Sequence, residues 1–124
     1  MPTLVCNPVG PYGSPGDERA FFEWIERIRC IRKFWGSGPA LYLEIPRRRI
    51  SDTCLRELLA LFWRYDVDMA QLAQFANPSN RKWFRNSSAY WYAGVFGRRA
   101  RSPRGHKARP TSHKRRLVRV DRRY

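Results

Sequence analysis

Between Ile50 and Phe75, ISDTCLRELLALFWRYDVDMAQLAQF, the chain carries its longest helix-period run of apolar residues. Leu55, Leu58, Leu59 and Phe62 recur at i, i+3, i+4 and i+7, so they form one stripe of a helix that has to be buried against something. Ser51 or Asp52 is the natural N-cap. Arg56, Glu57 and Arg64 face away from the stripe, whereas Leu61, Trp63 and Tyr65 widen it, so the helix is expected to be flanked on two sides. Tyr65-Asp66-Val67-Asp68 then breaks the period. Asp68 can cap a second helix with Gln71 at N3, and Val67 can meet Leu72 as a hydrophobic staple.

Upstream, Thr3 to Cys6 reads as a short strand closed by Asn7-Pro8 and a turn-rich GPYGSPG. Ser14, with Pro15 at N1 and Asp17 at N3, starts a helix whose inner stripe is Phe21, Ile25 and Ile28. Asp17, Glu18, Glu23 and Glu26 make this helix the one acidic cluster of the chain. Cys30 to Trp35 and Ala40 to Ile45 flank Gly36-Ser37-Gly38-Pro39. The second segment alternates Leu41, Leu43 and Ile45 against Tyr42 and Glu44, which is the pattern of a β-hairpin. Downstream, Asn77-Pro78 opens a short helix bearing Trp83 and Phe84. Ser87 or Ser88 can cap a last helix over Ala89 to Phe96, a segment whose aromatics and Gly94 also admit a strand. The expected class is α+β: a small three-stranded sheet, built from the N-terminal strand and the hairpin, packed with four to five helices.

Charge places the boundary of this body. Of 25 Lys and Arg, 13 precede Arg98 together with nine of the ten acidic residues; the last 27 residues hold 12 basic residues and Asp121 alone. Aromatics divide the other way, 17 of 18 lying before Arg98. Residues 1–97 are therefore expected to form a compact domain, ended by Gly97 as a helix C′ residue, and 98–124 a disordered arginine-rich tail with too little apolar surface to offset the entropy of ordering. Within that tail Leu117, Val118 and Val120 suffice for a strand or helical turn induced on a partner. Arg, Pro, Gly and Ala are also what GC-rich codons favour, so a read-through or frame-shifted extension has the same composition.

The inventory for catalysis is poor. His106 and His113 both lie in the basic tail, seven residues apart, and the carboxylate pairs Asp17/Glu18 and Asp66/Asp68 stand at helix starts where capping is the better reading, although it explains only Asp68 of the second pair fully and leaves Asp66 over. Cys6, Cys30 and Cys54 are too widely spaced for a metal site or a disulfide framework and are expected to be reduced. Gly36-Ser37-Gly38 lacks the spacing and lysine of a phosphate-cradling loop. No enzyme activity and no cofactor is expected. Lacking a basic-then-apolar leader and a run long enough to span a bilayer, the chain is expected to be cytoplasmic and off the membrane.

Binding is the remaining class. Arg47, Arg48 and Arg49 are usual for a solvated loop and can also meet a phosphate or an acidic partner. In the tail, Arg98, Arg99, Arg101, Arg104, Lys107, Arg109, Lys114, Arg115 and Arg116 would attach to nucleic-acid phosphates without sequence preference. Trp24, Trp35, Trp63, Trp83 and Trp91, with several tyrosines, exceed what a body of this size usually hides, and Trp, Tyr and Arg are favoured interface anchors.

CNPVGPY with SPGDERAFFEWI, LYLEI, LRELLALFWRYDVDMAQLAQF, and WF followed by YWYAGVFG together resemble a family of short bacterial proteins associated with immunity and accessory proteins of polymorphic toxin systems. The resemblance covers residues 1–97 and implies a shared fold; it supplies no catalytic residue, and the basic tail is extra to the pattern. It also implies a protein partner. For a basic one, Asp17, Glu18, Glu23 and Glu26 of the first helix, with Tyr65 and Asp66 of the helix junction, are the expected contacts. The expected function is a non-enzymatic protein-binding module, with tail-driven nucleic-acid association as the alternative.

Overall fold

The computed structural model describes residues 2–97 and the backbone of Val120–Asp121. The chain divides into two compact units, Met1–Arg47 with Ala108–Tyr124, and Arg48–Lys107.

In the first unit, β1 (Thr3–Cys6), helix α1 (Pro15–Arg27), β2 (Lys33–Ser37) and β3 (Ala40–Glu44) follow in order. Both β1 and β2 pair antiparallel with β3, giving the expected three-stranded sheet with the hairpin strand in the middle. One face of the sheet is apolar: Leu4, Leu43 and Phe34 lie side by side across the three strands and are buried. Helix α1 turns Phe21, Ile25 and Ile28 inward, and its Phe22 ring lies 6.0 Å from that of Phe34, which places the helix on this face. Ser14 caps it as expected: its hydroxyl accepts from the Asp17 amide at 3.1 Å, and the Asp17 carboxylate accepts from the Gly13 amide at 2.8 Å.

The hairpin differs from expectation in detail. β2 starts at Lys33 and continues through Gly36 and Ser37, so the turn is Gly38-Pro39 alone, with Ser37 opposite Ala40. A two-residue turn of this kind wants glycine with positive φ at its first central position, and Gly38 has φ 60°; Pro39 keeps the second at negative φ. A fourth strand, β4 (Val120–Asp121), pairs antiparallel with the outer edge of β2. The rest of the expected disordered tail, 98–119 and 122–124, lies outside the described residues.

The second unit is helical: α2 (Asp52–Arg64), a 3-10 helix (Met69–Phe75), α3 (Arg81–Phe84) and α4 (Tyr92–Phe96), which with α1 makes five helices among the described residues. Ser51 caps α2 through a 3.0 Å bond from the Cys54 amide, and Leu55, Leu58, Leu59, Leu61 and Phe62 are fully buried. The segment after the junction was expected as an ordinary helix. Its buried residues Met69, Leu72 and Phe75 recur every three residues, which aligns them on a 3-10 helix and would spread them around an α-helix. Gln71 and Gln74 side chains donate to the carbonyls of Asp68 and Gln71, both at 2.9 Å, occupying acceptors of this segment. Asn77 and Asn80 bond reciprocally, each side-chain oxygen accepting from the other's amide at 3.0 Å, before α3 begins. The final segment is helical rather than extended, and its start carries no side-chain cap: neither Ser87 nor Ser88 serves, because the helix begins four residues further on. Gly97 ends it in extended, not left-handed, conformation.

Candidate functional site

Helix α2 buries one side and turns Arg56, Glu57, Trp63 and Arg64 to solvent. Trp63, expected to widen the buried stripe, is instead 51% exposed. Its partner is Tyr90, equally exposed, from the turn preceding α4; the two rings meet edge to face with centroids 5.3 Å apart. These are the only large apolar side chains so exposed among the described residues.

Behind this pair runs a continuous ladder of rings. Tyr90 meets Trp91 at 5.0 Å, Trp91 meets Trp83 at 5.7 Å, Trp83 meets Phe84 at 5.6 Å, and Phe84 meets Phe96 at 5.0 Å. All but the Trp83–Phe84 contact are edge to face, the arrangement favoured by the ring quadrupole. One hydrogen bond pins the ladder: Trp91 Nε1 donates to the Phe84 carbonyl at 2.8 Å. Trp83 Nε1 is buried and has no acceptor among the described residues. Its ring face is covered by the Arg56 guanidinium at 3.9 Å, while Arg64 lies over Tyr65 at 4.9 Å and Arg85 over Phe96 at 4.4 Å. Arg56 is thus set by an aromatic face. Glu57 stands near Tyr90: partial burial first, then this carboxylate, raises the phenol above its ordinary value against the opposing pull of Arg56. The phenol stays neutral at physiological pH and can donate a hydrogen bond.

The residues expected from the sequence fall elsewhere. Asp17, Glu18, Glu23 and Glu26 all lie on α1 in the first unit, but not on one face. Asp17 is half-buried in its capping role, Glu18 is half-buried beside it, and only Glu23 and Glu26 are exposed, with Arg19 and Arg27 one turn to either side of Glu23. Tyr65 and Asp66 belong to the second unit. There the Val67 amide bonds the Phe62 carbonyl at 2.9 Å and the Asp66 amide that of Trp63 at 3.4 Å, the paired bonds of a Schellman cap with Asp66 as the left-handed C′ residue at φ 57°. Asp68 caps the 3-10 helix through the Ala70 amide at 3.0 Å. The carboxylate of Asp68 and the backbone of Asp66 therefore have structural posts. Arg47, Arg48 and Arg49 are exposed. Arg98, Arg99, Arg101, Arg104, Lys107, Arg109, Lys114, Arg115 and Arg116 lie outside the described residues.

Cys6 is buried and Cys30 and Cys54 are half-buried, none of them in a disulfide. Among the described residues no group of three or more His, Cys, Asp or Glu is arranged to hold a metal ion, and no helix is long and apolar enough to cross a membrane. No protein-family model, curated protein or solved structure matches the chain.

Proposed function

We propose that the chain is a non-enzymatic protein-binding module whose contact surface is centred on Trp63 and Tyr90. One observation carries this reading: two large aromatic side chains stand half exposed against each other, held from behind by a packed ring ladder and bordered by arginine. Rings fixed in this way lose little rotamer freedom on binding, so most of the area they bury goes into affinity. Trp, Tyr and Arg are also the residues in which interface energy concentrates. The resemblance to immunity and accessory proteins points to the same class of function. Glu23 and Glu26, the exposed part of the acidic helix, offer a secondary contact for a basic partner.

The alternative, phosphate binding through the basic residues of 98–124, rests on their charge. Affinity capture with the full chain separates the two. Partner capture that survives replacement of Arg98, Arg99, Arg101 and Arg104 by Gln, and is lost in Trp63→Ser/Tyr90→Ser, supports the aromatic surface. Capture lost with the arginines and kept without the aromatics, falling steeply with salt, supports the alternative.

A further inference from the structure

The sheet of the first unit ends on the outer edge of β2, and the short β4 lies there. An exposed edge is a template for any extended chain, so what selects its occupant is the match of side-chain rows across the strands. Two rows reach this edge. The first is Leu4–Leu43–Phe34, wholly apolar and buried, and Val120 is the residue opposite Phe34. The second is Thr3–Glu44–Lys33, and Asp121 is the residue opposite Lys33. Within the second row Glu44 already accepts from Arg32 at 3.0 Å and lies 3.8 Å from Lys33, so the charges alternate across the sheet toward the edge.

The sequence from Arg98 on contains one acidic residue, Asp121, and few apolar ones. The pairing places that acidic residue at the register position facing a lysine and an apolar residue at the position facing a buried phenylalanine. A slip of one residue in either direction would lose both matches, because alternate residues of a strand face opposite sides of the sheet.

We propose that the outer edge of β2 is a strand-docking site specific for an apolar–acidic pair, and that its occupant is the chain's own Val120–Asp121. Val120–Asp121 then belongs to the first unit's sheet. This also bears on the origin of the segment, since an unselected extension has no reason to satisfy both rows at once.

Amide hydrogen exchange on the full-length protein tests it. In wild type, the β2 amides that do not bond to β3 are protected. Val120→Pro removes a donor and the pairing, and Asp121→Lys puts like charge opposite Lys33; each is expected to accelerate exchange of those amides at least tenfold while amides of β1 and β3 keep their rates. Val120→Ile should leave all of them unchanged. Equal β2 exchange in wild type, Val120→Pro and Asp121→Lys would overturn the proposal. Protection that disappears on dilution would overturn it too, by assigning the docked strand to a second copy of the chain.

Discussion

Asp66 shows how a residue can invite a functional reading and have a structural one. From the sequence it is a carboxylate left over beside an aromatic; in the structure it occupies the left-handed position that ends α2, at φ 57°, where glycine is the usual occupant. Asp66→Gly is therefore expected to keep or raise stability, by up to roughly 1 kcal/mol, whereas Asp66→Val should lower it by at least that much. Denaturant unfolding of the three proteins checks both signs. Asn80 is the opposite case, the one buried polar or charged side chain among the described residues. Its amide nitrogen donates to the Phe75 carbonyl at 2.9 Å and its oxygen accepts from Asn77. Asn80→Leu strands both partners and should cost about 1–3 kcal/mol in the same assay. Cys6 adds a pH dependence. Burial pushes its thiol up to about 12 from an ordinary 9.0, so the unfolded chain ionises first as pH rises. The stabilisation is fully present below pH 9 and is lost between 9 and about 12. Cys6→Ala should be less stable at neutral pH but lose less over that alkaline range.

At the scale of elements, strong periodicity was easy to read and exceptions to it were not. The α1 and α2 stripes, their serine caps and the alternation of β3 were all visible, because each is set by neighbours within a few residues. The 3-10 helix is not separable from an α-helix at this level, because the three-residue spacing of Met69, Leu72 and Phe75 differs from the α-helical pattern by a single position. Trp63 is not legible as exposed either. It sits about as far round α2 from the centre of the stripe as Leu61 does on the other flank, and only tertiary packing decides that Leu61 is buried and Trp63 exposed. Gly94 is explained by contact rather than by conformation. A Cβ there would lie 3.1 Å from Met69 Sδ and 3.3 Å from Met69 Cβ, so α4 approaches the 3-10 helix closely. Although alanine favours a helix by about 1 kcal/mol, Gly94→Ala is expected to lower the melting temperature, because the Met69 Cβ cannot swing aside as its sulfur can.

For the whole molecule, the division of charge and aromatics at Gly97 is plain in the sequence, and the two compact units are not: nothing local marks a change of unit at Arg47–Arg48. That Val120 belongs to a stretch able to form an induced strand is legible in the sequence; that its partner is β2, more than eighty residues away along the chain, is not. The binding function proposed above rests on one feature of the sequence and one of the structure. The aromatic surplus suggested an interface, and the structure shows which two rings stand in solvent and what holds them there.

That surface makes a sharp separation between binding and folding. Trp63 is half exposed, so removing it costs the fold little beyond its ring contact with Tyr90, about 1 kcal/mol or less. As the centre of an interface it would be worth 2 kcal/mol or more. The direct measurement is the dissociation constant of the captured partner for wild type and Trp63→Ala, with melting curves for both. A loss of affinity of roughly thirtyfold or more with nearly superimposable melting curves is the predicted result; equal affinity for the two proteins would contradict the assignment of the binding surface.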